Sequence, residues 1–344
     1  MTDLNLPRPP SAIVMIRGQK VWAAVVVLLL LIAAIDPGQA RVSAVFTLTA
    51  LAGTAPFLAL SILIAAWAKA TGADGQIARA FYGAPVLAIA LAALAGALSP
   101  FCSCGVIPLI AALLTMGVPL SAVMAFWLAS PIMDPSMFVL TVGVLGLPFA
   151  LAKTATAIGL GLAGGYLTHA LRAAGAFENP LRPEVGNGGC GGSAARTIKP
   201  IVWRFWSDPI RKGNFAAEAR KTTLFLLQWL TLAFLLESLM LAFVPAETIT
   251  TLLGGTGAGP IALATVVGVP AYLNGYAALP LVGGLIEQGM QPGAGLAFLI
   301  AGGVTSLPAA IAVWALVRPR VFALYILLSL AGAFTAGMIW QAIA

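Results

Sequence analysis

The sequence predicts an all-α polytopic membrane protein whose halves form an inverted internal repeat with re-entrant hairpins and broken helices, preceded by an extra N-terminal helix. Three observations carry that prediction. Apolar residues make up 60% of the 344-residue chain, charged residues only 8%, and mean hydropathy is +1.01, against roughly 25% charged residues in a soluble domain. Shifting the chain by 172 positions lays its second half on its first without a gap. Each half also holds two apolar blocks too short to cross a bilayer.

The first block, Val21 to Ile35, follows Arg17 and Lys20 and precedes Gly38-Gln39-Ala40. A secretory signal peptide has the same outline. A retained signal anchor is the expectation, giving a tail and extra helix over 1–42 outside the repeat. The first repeat, 43–170, holds blocks 43–68, 83–98, 105–117, 119–145 and 147–170. A basic loop, 171–220, follows. The second repeat, 221–344, holds blocks 222–244, 255–268, 277–288, 293–317 and 320–343. Over 89–129, 13 of 41 positions match their mates at the shift of 172, Gly96/Gly268, Pro108/Pro280, Gly117/Gly289 and Phe126/Phe298 among them. Chance in a chain this rich in Ala, Leu and Gly gives roughly one match in ten.

Parity makes the repeat inverted. Thirteen helical residues cover about 20 Å of a hydrocarbon core about 30 Å thick. If the short blocks pair into hairpins, each repeat crosses three times; if they span, five times. Both counts are odd, so the second repeat sits upside down relative to the first. Hairpins give nine membrane elements and spans give eleven, with hairpins favoured. The charges agree with either count. Nine basic and four acidic residues lie between Arg172 and Lys221, and with the N-terminus inside, 16 of 18 basic residues face the cytoplasm. That is the positive-inside pattern, which sets the N-terminus and the 171–220 loop as cytoplasmic.

Four breaks interrupt the apolar blocks, and they match in pairs. One is Ser99 to Gly105, and its mate is Ala271 to Ala277. The other is Ala129 to Ser136, and its mate is Ala301 to Pro308. Pro100, Gly105, Pro131, Pro135, Pro270, Gly275 and Pro308 are the expected hinges. Irregular backbone at membrane depth is tolerated where it is buried in protein or lines a wet cavity. Two hairpin tips and two broken helices related by inversion are the layout of a secondary transporter's midplane site. Proline kinks without a ligand are the plainer alternative for any single break.

Pro100-Phe101-Cys102-Ser103-Cys104-Gly105 with Pro108, then Ser130-Pro131 and Thr305-Ser306-Leu307-Pro308, resembles the bacterial predicted-permease family that includes the organoarsenical efflux permease ArsP. The resemblance covers about 43–343 and is most specific at Cys-Ser-Cys-Gly. It implies a polytopic permease of the bacterial inner membrane and leaves the substrate open.

The residues point the same way. Thiolates prefer soft ions and metalloids, so a close pair suits trivalent arsenic or a soft metal. The helix starting near Gly105 places its partial positive charge beside Cys102 and Cys104, favouring thiolates. Buried cysteines as small hydrophobes are the competing reading. In the repeat alignment Cys102 falls on Asn274 and Cys104 on Tyr276. The expected substrate-binding set is Cys102, Ser103, Cys104, Ser130, Asp134, Asn274, Tyr276, Thr305 and Ser306. Glu237, inside an apolar block, and Asp134, at a broken helix, are candidate proton-coupling carboxylates. Glu237 reaching the headgroups is an equal alternative, and Lys153 either pairs with Asp134 or snorkels. His169 reads as solvated or structural, and Cys190, in a glycine-rich linker, as an inert thiol, with capture of a thiophilic substrate on the cytoplasmic side the alternative.

No Walker A loop, Rossmann glycine fingerprint or zinc spacing occurs, so neither a cofactor nor an enzyme activity is expected. The expected partners are the bilayer, a small thiophilic substrate and coupling protons, with self-association open and nucleic acid excluded. The leading expectation is a secondary permease exporting a thiophilic species by alternating access. The alternatives are a membrane thiol oxidoreductase relaying electrons through Cys102 and Cys104, disfavoured because one intervening residue strains a disulfide, and a permease for another small solute.

Overall fold

The computed structural model describes residues 12–72, 84–99, 105–177, 179–182, 202–243, 257–271 and 275–344. Pro100, Phe101, Cys102, Ser103, Cys104, Cys190 and Asn274 lie outside the described residues, as does the side chain of Tyr276. The described chain is all-α. In order, α1 is Ala12–Ile35, α2 Pro37–Thr71, α3 Pro85–Leu98, α4 Ile107–Thr115, α5 Leu120–Ala129, α6 Pro135–Leu145 and α7 Leu147–Ala173. After a 3-10 turn at Phe205–Ser207 come α8 Pro209–Phe243, α9 Ala258–Ala271, α10 Gly275–Glu287, α11 Pro292–Thr305, α12 Leu307–Leu316 and α13 Pro319–Ile343.

Helix boundaries follow local chemistry. Asp36 stops α1 and starts α2: its carboxylate accepts from the amides of Gly38 at 2.8 Å and Gln39 at 3.0 Å, with Pro37 at the first helical position, where its missing N–H costs nothing. Asp208 and Pro209 repeat this at α8, with Asp208 accepting from Ile210 at 2.9 Å. Asp134 and Pro135 repeat it at α6. Gly117 and Gly289 end α4 and α10 in the left-handed region, at φ of 89° and 101°. Val118 N–H returns to Leu113 O at 3.0 Å, and Met290 N–H to Leu285 O at 2.9 Å. These are the same αL termination twice, 172 positions apart.

Four helical segments are long and apolar enough to cross a bilayer among the described residues: Leu147–Ala173, Pro209–Leu239, Pro292–Leu316 and Pro319–Ile343. A fifth forms if the bent pair Pro37–Pro56 and Leu58–Ile64 is one span. The 46° bend in α2 sits at Pro56, which removes an intrahelical hydrogen bond. The sequence reading of 43–68 as one block misses it. The short helices are as short as expected, 14 residues in α3 and 9 in α4. Block 119–145 divides at 130–134 as expected, but 293–317 divides only at Ser306. Pro131 falls on Gly303 in the repeat, and without a proline α11 runs on to Thr305.

The core is a close-packed set in which α3, α5 and α7 pack on one another, and α9, α11 and α13 do the same. Glycine makes the contacts possible. A Cβ on Gly96 would sit 2.6 Å from the Phe126 carbonyl oxygen, and one on Gly268 2.7 Å from that of Phe298. Gly165 is closed in by Ile89 and Ala125, and Gly337 by Ile261 and Ala297. Every residue in these pairs of contacts is the 172-shifted mate of its counterpart.

Two contacts give directions. Arg211 near the start of α8 donates to Ala70 O near the end of α2 at 2.9 Å, while Ser238 near the end of α8 donates to Ser43 near the start of α2 at 3.0 Å. So α2 and α8 run antiparallel. Gly332 of α13 faces Leu160 of α7, and Gly164 faces Leu328, so α7 and α13 are antiparallel as well.

Candidate functional site

The Cys102-Ser103-Cys104 segment enters between two described residues, Ser99 at the end of α3 and buried Gly105 before α4. Ser99 is tied to the neighbouring break. Its hydroxyl and that of Ser130, 2% exposed at the end of α5, lie 2.8 Å apart in a hydrogen bond. The end of α3 and the break after α5 are thereby joined across 31 positions of sequence. Ser130 continues into a turn through Pro131, after which Asp134 starts α6.

Asp134 has a structural duty there. Its Oδ1 accepts from Met137 N–H at 2.8 Å and from the Ser136 hydroxyl at 2.5 Å, capping α6. The side chain is half-buried. Lys153, on α7, is 2% exposed and feels the charge of Asp134. It does not snorkel. An ammonium enclosed in a membrane domain is costly and is retained where a counter-charge or a ligand answers it.

The second broken helix is equally enclosed. Thr305 is fully buried and donates to Ala301 O at 2.7 Å, Ser306 is 6% exposed, and Pro308 is buried at the second position of α12. Tyr325 of α13 connects the two breaks. Its hydroxyl donates to Val304 O, and its ring stacks on Trp127 of α5 with centroids 4.7 Å apart. Trp127 lies three residues before Ser130 and Val304 two before Ser306, so this aromatic bridge brings Ser130 and Asp134 to the same region as Thr305 and Ser306.

Glu237 is 6% exposed, so its side chain is enclosed by protein. Its neighbourhood is the start of α2 and α1: adjacent Ser238 bonds Ser43, which in turn accepts from Gln39 at 3.0 Å, and Leu235 packs on Val25 and Ile32. These contacts place Glu237 beside α1 and the start of α2. His169 is half-buried near the end of α7. The sequence reading missed Ser99, Trp127 and Tyr325. A Ser preceding a hinge, repeated at Ser99 and Ser130, was the available signal for the first; nothing local marks the aromatic pair.

A protein-family model, ArsP_1, described as a predicted permease, matches residues 41–342. The UPF0718 protein YcgR of Bacillus subtilis (strain 168) is 39% identical over 80 residues, which are 23% of this chain and 27% of that protein. The match thus spans about a quarter of that relative. No solved structure matches. With a bundle of apolar helices that makes it a multi-pass membrane protein, and a family match over most of its length, the chain belongs to the predicted-permease family ArsP_1.

Proposed function

We propose that this permease is a secondary transporter of the bacterial inner membrane that exports thiophilic small species, trivalent arsenicals and organoarsenicals foremost, by alternating access between two inverted repeats. Support for the inversion comes from direction and from detail. Repeat-related helices α2 and α8 run antiparallel, as do α7 and α13, which is what a two-fold axis in the membrane plane requires. The duplicated Asp-Pro starts, αL terminations and glycine contacts supply equivalent structures in both halves. The repeat then begins at Asp36 and Asp208.

The observation that carries the site is the bond between Ser99 and Ser130. It holds the flank of the Cys102-Ser103-Cys104 tip against the broken helix whose far partner is reached through Trp127 and Tyr325. In this reading Cys102 and Cys104 bind the substrate, and Ser103, Ser130, Asp134, Asn274, Tyr276, Thr305 and Ser306 line the surfaces around it. Two thiols condense with an organoarsenic dihydroxide to give a dithiolate and two waters, with no change of oxidation state. The arsenic atom holds its two sulfurs farther apart than a disulfide does, so the spacing that strains an S–S bond suits the chelate. Asp134 with Lys153, and Glu237, are the groups through which protons would be exchanged. The N-terminus and the 171–220 loop face the cytoplasm, where the basic residues concentrate.

Everted membrane vesicles carrying the chain should accumulate methylarsenite under an imposed proton gradient, with arsenic read by mass spectrometry. Vesicles with Cys102→Ser/Cys104→Ser should accumulate no more than vesicles lacking the protein. Undiminished accumulation by the double variant would overturn the thiol mechanism.

A further inference from the structure

The first arm of α2, Pro37–Pro56, is about 30 Å long at 1.5 Å per residue, the thickness of the hydrocarbon core. The chain then bends by 46° and continues to Thr71, so this second arm has no span left to make. One side of it is apolar and exposed, with Leu60 and Leu63 each 50% exposed and Ile64 41%, while Ile62, Ala66 and Ala70 are buried. The first turns of α8 accompany it. Arg211 donates to Ala70 O at 2.9 Å, Val202 N–H to Thr71 O at 3.0 Å, and the Trp67 and Trp203 rings lie 5.8 Å apart.

Held on this base is a short segment that turns its aromatic side chains outward. Trp203 is 61% exposed, Trp206 60% and Ile210 75%, while Phe205 between them packs on Phe215 with centroids 5.2 Å apart. Water does not favour three large, exposed apolar side chains in one short stretch of chain. Exposed cations lie in the same stretch of chain, Arg204 and Lys212 near them and Arg220 farther along α8. Asp208 caps α8 and pairs with Arg211 at 3.5 Å, and Glu218 is half-buried, so the outward charge is positive. Tryptophan with an aliphatic neighbour and a fringe of cations is the composition that sits at the level of lipid headgroups. The surface is continuous with the lipid-facing sides of α2 and α8.

We propose that the second arm of α2, the first turns of α8 and the Trp203–Ile210 segment form an interfacial foot that lies on the membrane surface and binds anionic phospholipid headgroups. Trp203, Trp206 and Ile210 insert at the boundary between headgroup and acyl chain, and Arg204, Lys212 and Arg220 take the phosphates. The foot rests on the proposed topology only for the surface being the cytoplasmic one. A lipid-anchored base under α2 and α8 fixes one end of the antiparallel pair while the rest of the bundle moves.

The test uses the whole protein in nanodiscs of phosphatidylglycerol or phosphatidylcholine with brominated acyl chains. Tryptophan fluorescence of the wild type minus that of Trp203→Phe/Trp206→Phe isolates the two exposed indoles. Quenching of that difference by the brominated chains, with weak quenching by aqueous iodide, is the expected result. Strong iodide quenching without bromolipid quenching would overturn the proposal and leave the surface to a soluble partner or a second copy. Arg204→Gln/Lys212→Gln tests the charge, and among the described residues neither side chain makes a hydrogen bond or ion pair. Thermal stabilisation in detergent by added phosphatidylglycerol should need more lipid in this variant, roughly fivefold for each cation removed. The response to phosphatidylcholine should not change. Equal responses of wild type and variant to phosphatidylglycerol would overturn the headgroup assignment. Methylarsenite accumulation by the same proteins reports on the permease reading separately, because these substitutions leave the proposed substrate residues unaltered.

Discussion

Gly96→Ala and Gly268→Ala apply one perturbation at two repeat-related positions. A Cβ on Gly96 would stand 2.6 Å from Phe126 O and 3.1 Å from Ala129 Cβ; on Gly268 it would stand 2.7 Å from Phe298 O. A carbon approaches a carbonyl oxygen comfortably at about 3.3 Å. Each substitution therefore asks α3 to move from α5, or α9 from α11, by about 0.6 Å. The opposing atoms are backbone, which cannot rotate away. Overpacking of this kind costs about 1–3 kcal/mol, offset by up to about 1 kcal/mol from the better helix propensity of Ala. The expected net loss is about 1–2 kcal/mol at both positions. Gly159 is the control, since nothing lies within 4 Å of its Cβ position; Gly159→Ala should be neutral or stabilise by up to about 1 kcal/mol. Thermal unfolding of the detergent-solubilised variants measures all three. If Gly268→Ala were tolerated while Gly96→Ala unfolded the protein, or if Gly159→Ala did equal damage, the equivalence of the two helix contacts would be refuted.

Three further outcomes follow from the site. Ser99→Ala and Ser130→Ala should each destabilise by about 1 kcal/mol, and a double-mutant cycle should return a coupling of about 0.5–1.5 kcal/mol; zero coupling would mean that the hydroxyls do not bond. Tyr325→Phe keeps the ring on Trp127 but strands the Val304 carbonyl, costing about 1–3 kcal/mol, and should slow methylarsenite accumulation by loosening the link between the breaks. Lys153→Met/Asp134→Asn removes both charges of the enclosed pair and keeps a capping side chain at the start of α6, so melting should be unchanged or higher while transport falls at least tenfold; a double variant that transports normally would relieve the pair of any part in coupling.

Much of the fold was legible because hydropathy and chain punctuation are local. The break before Pro135 and the block ends at Gly117 and Gly289 are written in one or two residues each, whereas the helices from Pro37 and Pro209 begin ahead of the blocks expected from 43 and 222. The shift of 172 then carried every element of one half to the other. The Asp-Pro pairs at 36–37 and 208–209 are also 172 positions apart. The bend at Pro56 was not legible, since an apolar run on both sides of a proline reads the same straight or bent. The link through Trp127 and Tyr325, the bond from Ser99 to Ser130, and the company kept by Glu237 are contacts between residues far apart in sequence. No period records them. Asp134 shows the same limit: its position at a break was readable, but its duty as a helix cap depends on where Met137 N–H points.

The most direct measurement of the thiol site is the thermal shift of the detergent-solubilised protein on titration with phenylarsine oxide, wild type beside Cys102→Ser/Cys104→Ser. Phenylarsine oxide should raise the midpoint of the wild type, saturably and reversibly on addition of a competing dithiol, and leave the double variant unmoved. An equal shift in the double variant, or none in either protein, would contradict a substrate site at Cys102 and Cys104.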